Sequence, residues 1–267
     1  MDITFGVTRT SATGRTGNGS LTPYLPEGWK IGQFAILLLY SDQGGGSVPT
    51  GWTEVTGSPW GTDTPKLQAF YRFLQLGDSN PVSTISGSDA DMSHVAMIAT
   101  YNNVDLNTPI EVIGTASVGT GSPMTAGSIN TLTDGAWAVC LCGRGDNESA
   151  STQTFGGSAT GVTERFDHGT SQGNDSQISL YDKEIASLGA TGDGSANTAS
   201  ADPWISVIIA LKPWSQNPPT VSLEYPNDLE KITDATPQVK FTGTDPDSDD
   251  IKYQIQIDTV DTFDSQT

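Results

Sequence analysis

The chain has 267 residues, with 12 Lys and Arg against 31 Asp and Glu, for a formal net charge of −19. So acidic a balance excludes docking on nucleic acid or anionic lipid, since both need clustered Lys and Arg. The longest apolar runs, Phe34–Tyr40 and Ile205–Leu211, fall well short of the roughly 18 residues of a membrane helix. Met1-Asp2-Ile3-Thr4 opens without the basic and apolar regions of an export signal, so folding in a reducing cytosol is expected.

Taken in chain order, the apolar and β-branched stretches are Ile3–Val7, Phe34–Tyr40, Lys66–Leu76, Val95–Tyr101, Ile110–Ile113, Trp137–Cys142, Ile178–Tyr181 and Ile205–Leu211. Clusters such as Gly44-Gly45-Gly46-Ser47 and Gly192-Asp193-Gly194-Ser195 separate them. Short strands with that punctuation predict an all-β sandwich or barrel. Phe34–Leu39 is apolar at every position, as a strand is when both its faces are covered. Cys140 and Cys142 stand two apart, so on a strand their thiols share a face. Parallel thiols do not bridge without backbone distortion, and two buried free thiols are expected.

An internal echo runs through these strands. Thr50-Gly51-Trp52-Thr53-Glu54 returns as Thr160-Gly161-Val162-Thr163-Glu164. At the same spacing Phe70-Tyr71 falls on Leu180-Tyr181, and Val95–Ile98 on Ile205–Ile208. Gly32–Leu37 matches Gly135–Cys140 at a slightly shorter spacing. The pattern predicts two copies of a five- or six-strand unit, each feeding strands to both sheets of one jelly-roll-like (concanavalin-like) sandwich over residues 1–213.

Several motifs in this stretch carry a resemblance. They are Gly32-Gln33-Phe34-Ala35-Ile36-Leu37-Leu38-Leu39, Val48-Pro49-Thr50-Gly51-Trp52-Thr53, and Tyr101-Asn102-Asn103-Val104-Asp105. The set resembles a β-sandwich module of tail, fibre and surface proteins of tailed bacteriophages, with Gln33 where that family usually has Asp. Residues 214–219, with Pro218-Pro219, then form a spacer. Residues 220–267 resemble the opening of a bacterial fibronectin type III or immunoglobulin-like repeat, through Pro219-Thr220-Val221, Asp245-Pro246-Asp247-Ser248-Asp249 and Ile255-Gln256-Ile257-Asp258. About 50 residues cannot complete such a domain of roughly 100, so a longer natural chain is expected.

The resemblance implies a non-enzymatic virion structural protein, a surface fibre or decoration subunit made in the host cytoplasm. Its partners would be capsid or tail proteins and further copies of itself, with a trimer as the expected oligomer. A carbohydrate-binding adhesin for host-surface glycans is the first alternative, and a glycan hydrolase using Glu54 and Glu164 the second. For glycan contact, Trp60 among Gly, Ser and Pro, and Tyr24 between prolines, are the candidate platforms. Asp245, Asp247, Asp249 and Asp250 are the candidate calcium ligands, because alternating carboxylates in a turn supply hard oxygens. His94 is expected to pack at a strand start, in the place Trp204 holds in the other copy. Arg144-Gly145-Asp146 is read as a chance tripeptide. No catalytic residue is assigned.

Overall fold

A computed structural model describes residues 1–62, 65–87, 90–214, 220–225, 236 and 238–245. The chain divides into two compact units, Met1–Trp214 and Ser215–Thr267, so the boundary falls at the start of the expected spacer. Every regular element among the described residues is a strand.

The first half of the large unit contributes ten strands. They are β1 (Thr4–Thr8), β2 (Thr13–Thr16), β3 (Gly19–Leu21), β4 (Phe34–Ser41) and β5 (Gly45–Gly46). After these come β6 (Thr53–Glu54), β7 (Trp60–Gly61), β8 (Lys66–Phe73), β9 (Ser83–Ser86) and β10 (Ser93–Asn102). The second half contributes nine: β11 (Ile110–Ile113), β12 (Ser117–Thr120), β13 (Met124–Ala126), β14 (Ala136–Arg144) and β15 (Ser151–Phe155). It closes with β16 (Thr163–Thr170), β17 (Ser176–Ile185), β18 (Gly194–Asn197) and β19 (Pro203–Leu211). The expected strands are all present, and the additions are mostly short Gly-, Ser- and Thr-rich segments.

The two halves share one topology. The main sheet of the first runs β1-β10-β4-β8-β6, and that of the second runs β11-β19-β14-β17-β16. Each half also builds a three-stranded outer sheet, β3-β9-β5 and β13-β18-β15 respectively. In the first half β1 pairs with β10, β3 with β9 and β4 with β8, a nested order of antiparallel pairs. The innermost pair of that scheme is not made, because β6 joins the edge of β8 instead.

This arrangement corrects the expectation that each half feeds both sheets of one sandwich. Each half is its own small sandwich, and the two pack back to back. Leu37, Leu39, Phe70 and Ile98 fill the outer interior of the first half with Leu21 and Ile85. Cys140, Tyr181 and Ile208 fill that of the second with Met124, Phe155 and Ala196. The opposite faces of both main sheets meet in a shared core of Ile36, Leu38, Val95 and Met97 against Val139, Leu141, Leu180 and Val207. Four sheet layers therefore enclose three apolar layers, which is why β4 and β14 are apolar on both faces. Neither half could expose its inner face alone, since each buried Leu or Val there contributes about 1.5–3 kcal/mol.

The register also moves one repeat equivalence. Leu37 lies opposite Phe70, and its counterpart Cys140 lies opposite Tyr181. Phe70 therefore corresponds to Tyr181 rather than to Leu180, a one-residue step that exchanges the two faces. Elsewhere the echo reflects turn chemistry. Trp52 N donates to Pro49 O at 3.0 Å and Val162 N to Ala159 O at 3.1 Å, while Gly51 (φ 77°) and Gly161 (φ 74°) take the left-handed position. Only glycine adopts that conformation without strain.

The small unit shows one antiparallel pair, β20 (Thr220–Tyr225) and β21 (Lys240–Thr244). Val221 and Leu223 alternate with Ser222 and Glu224, and Lys240 Nζ lies 2.7 Å from Glu224 Oε2. The Ile255-Gln256-Ile257-Asp258 motif lies outside the described residues.

Candidate functional site

The structure corrects the leading glycan candidate. Trp60 is only 6% exposed, because β7 pairs it with Leu67 and turns it into the shared core. Its Gly-Ser-Pro neighbours resemble a loop, but its ring is no platform. Tyr24 is 52% exposed, with the Arg9 guanidinium 5.0 Å from its ring centroid. Asp245 follows β21, whereas Asp247, Asp249 and Asp250 lie outside the described residues. Among the described residues no group of three or more His, Cys, Asp or Glu stands close enough to hold a metal ion.

Glu54 and Glu164 do occupy equivalent positions, opposite Phe70 and Tyr181. Glu54 accepts from Ser58 Oγ at 2.8 Å, and Glu164 accepts from Gln153. Phe70 and Tyr181 belong to separate outer interiors, so the two carboxylates mark different sandwiches, with the shared core between them. A glycosidase pair needs both carboxyls across one cleft, within roughly 5–10 Å. Arg144 is buried and bonded to Asp146 at 2.8 Å and to Ser200 at 2.6 Å, which withdraws the Arg-Gly-Asp tripeptide from any receptor.

Polar groups inside the block act as fasteners. At one end of the seam the Tyr101 hydroxyl donates to Asp182 Oδ2 at 2.8 Å, and Arg165 Nε donates to the same oxygen at 2.8 Å. Burial pushes the Asp182 carboxyl up, against the pull of Arg165 and Tyr101, and burial also raises Tyr101. At the other end Ser93 Oγ and Ser176 Oγ join the two sheets at 2.6 Å. His94 sits in β10 as expected, buried, and neither ring nitrogen has a hydrogen-bond partner. Burial, then the charge of Arg15, lowers it to about 4; the Gly17 carbonyl favours the proton from outside bonding geometry.

The two thiols are free, buried and 3.7 Å apart, as the strand spacing predicts. Their contact, with burial, pushes the Cys142 thiol up, away from the thiolate that reactivity requires. The Tyr181 and Ser179 hydroxyls face this pair but form no properly angled hydrogen bond. Nearby, burial raises Asp167 to about 6 despite its bond from Gln177.

Sequence reasoning missed a pocket of about 240 Å³ in the first half. It is lined by Thr50, Trp52, Arg72, Asp78, Ser79 and Asn80 among others. Arg72 Nη2 bonds Asp78 Oδ1 at 2.8 Å, and Asp78 Oδ2 accepts Gln75 N at 2.8 Å. Trp52 was visible in the repeated turn, but its partners arrive from β8 and the loop after it, so only the register unites them.

Six of the ten exposed large apolar side chains described in the first unit share one end of it. Met1, Ile31, Leu76, Leu106, Leu132 and Leu188 all lie on segments at one end of the main sheets, where β4 and β14 begin and β8, β10, β17 and β19 finish. Four of their turns are pinned by carboxylates. Asp105 Oδ1 accepts Thr108 N at 2.7 Å, Glu111 Oε1 accepts Leu132 N at 2.8 Å, and Asp134 Oδ1 accepts Leu188 N at 2.7 Å. Asp78 holds the turn at Leu76 in the same way. Burial opposes ionisation of Asp105, but bonds from Thr108 and the Lys212 charge outweigh it and hold its carboxyl low. The chain start meets Trp214 here, with the Met1 ammonium donating to Trp214 O at 2.8 Å.

Against known proteins, no family model, curated protein or solved structure matches this chain.

Proposed function

We propose that this chain is a virion structural protein, a surface fibre or decoration subunit held on a phage particle through its double sandwich. The observation that carries the reading is the leucine-studded end. Rigid turns present apolar side chains there, while their neighbouring carboxylates are spent on loop N–H groups. Such an end buries apolar area without desolvating free charge, and stable contacts remove about 1,200–2,000 Å² in that manner. The resemblance of the Gly-Trp-Thr turn and the apolar β4 strand to phage modules supports the same reading. No chemical step is proposed for the block; its role is shape and attachment, as one member of a symmetric homo-oligomer. The net charge of −19 keeps neighbouring subunits apart elsewhere and discourages adsorption to DNA.

The test is a Leu132→Asp, Leu188→Asp double variant. It should melt like the parent yet be missing from purified particles, in which the parent appears at fixed copy number. Retention of the variant at parental stoichiometry would remove the apolar end from the proposal. Absence of the parent protein from particles would remove the proposal itself.

A further inference from the structure

We infer that the pocket formed by Trp52, Arg72, Asp78 and Asn80 binds one neutral sugar ring. This goes beyond the attachment role and does not depend on it. A sugar presents paired hydroxyls, each both donor and acceptor, on a ring with an apolar face. Its binding site therefore needs fixed donors, fixed acceptors and an amphipathic surface together. The pocket has all three, its apolar surface coming from Pro81 and the half-exposed Val82, because the Trp52 ring is only 6% exposed and packs into the outer interior. Arg72 and Asp78 form a 2.8 Å ion pair in the lining. Asn80 uses its Oδ1 to accept Leu25 N at 2.9 Å, which orients an amide whose NH2 group is left to donate. The indole N–H of Trp52 is neither bonded nor sealed away among the described residues. Thr50 and Ser79 add hydroxyls to the lining.

The parts are held in place before any ligand arrives. Asp78 is locked to Gln75 through both its backbone N–H and its Oδ2. Gly51 carries a φ of 77°, and a Cβ there would lie 3.1 Å from Arg72 Nη1, so the turn lies directly against the guanidinium. Preorganised donors of this kind lower the ordering cost of binding. A volume of about 240 Å³ is below the ≈300–1,000 Å³ of drug-sized sites, which suits a single ring. Arg72 is already balanced by Asp78, and the chain as a whole is strongly acidic, so a neutral sugar is preferred over an anionic one.

The second half provides an internal control. Val162 replaces Trp52 in the same turn, and Lys183 takes the place of Arg72 against Gly161, where a Cβ would pass 3.9 Å from it. The turn is kept in both copies, whereas the recognition groups occur in one.

Saturation-transfer NMR on the full chain tests this, using methyl glycosides of glucose, galactose, N-acetylglucosamine, rhamnose and galacturonic acid at about millimolar concentration. At least one neutral glycoside should show saturable transfer. Asp78→Asn and Asn80→Ala should each weaken it at least about tenfold, the usual consequence of losing a charged or fixed hydrogen bond. Lys183→Ala should leave it unchanged. Asn80 is exposed, so its variant keeps the fold and its melting curve verifies that. No transfer to any glycoside, or transfer indifferent to both variants, would overturn the inference. Preference for the galacturonide would overturn its neutral-ligand part. Asn80→Ala should still assemble on particles, which separates this result from that of the attachment test.

Discussion

The two halves of the large unit have the same strand order but fill their outer interiors differently. In the first, Leu37, Leu39 and Phe70 project from the main sheet. In the second, the same register positions hold Cys140, Cys142 and Tyr181. Hydrocarbon has been exchanged for thiols and a phenol, and Phe155, 5.5 Å from Tyr181, packs beside them. The shared core diverges only in matched sizes: Tyr40 of the first half has Gly143 as its counterpart, and a Cβ on Gly143 would fall 2.4 Å from the Tyr40 ring. A surface that each half needs from the other is constrained by both, whereas an interior closed by one half's own outer sheet is free to drift as long as its volume is conserved.

The sharpest way to break this comparison is to separate the halves. Residues 105–214 expressed alone should fail to fold, and Leu38→Asp in the intact chain should abolish the cooperative melt of both halves together. Calorimetry is the measurement, and two independent transitions would show the halves to be separable after all. Next in size is Asp182→Ala, which removes the Tyr101 bond across the seam and leaves Arg165 partly buried without its carboxylate. A loss of about 3–5 kcal/mol is expected, read from urea unfolding.

The outer interiors should then respond unequally. Leu39→Ala is expected to cost about 3 kcal/mol, because a packed Leu leaves a cavity. Its counterpart Cys142→Ala should cost about 1 kcal/mol, the worth of roughly one methylene-sized group. Equal losses would mean that the second interior is packed as tightly as the first. The remaining effect depends on pH and concerns His94, which stands where the second half has Trp204. Its folded pKa of about 4 lies below the unfolded value, so the unfolded chain binds more protons between about pH 6.5 and 4. Stability is therefore lost as pH falls through that window. The parent should lose about 2 kcal/mol more than His94→Leu between pH 7.5 and pH 5. Asp167, raised to about 6, has the opposite slope over about pH 4–6, but it is present in both proteins and cancels in the difference.

The long strands could be read from the sequence because they are covered twice, which leaves Phe34–Leu39 and Ile205–Leu211 uniformly apolar. That same uniformity erased the alternation that would have told one face from the other, so it gave no indication which half covers which face. The outer sheets escaped notice because segments such as Gly19–Leu21 and Gly45–Gly46 are too short and too small-sided to show a period. Gly46 is small for a packing reason, since a Cβ there would fall 2.5 Å from Leu39 Cδ2. Trp60 was misplaced because local composition describes a loop's chemistry and not the direction of its largest side chain. The apolar end was equally hidden: Leu76, Leu132 and Leu188 are far apart in sequence, and only the coincidence of strand ends gathers them.

One feature of the large unit reaches beyond its own stability. Its first residue touches its last, Met1 to Trp214, so the block enters and leaves the polypeptide at a single point. A module built this way can be spliced into a loop of another protein without prising that loop apart, or be circularly permuted through a short joint, because neither operation asks the backbone to travel. Duplication, insertion and shuffling are cheap for such a cassette. The same geometry means that a label fused at the first residue would report on the environment of the leucine-bearing end.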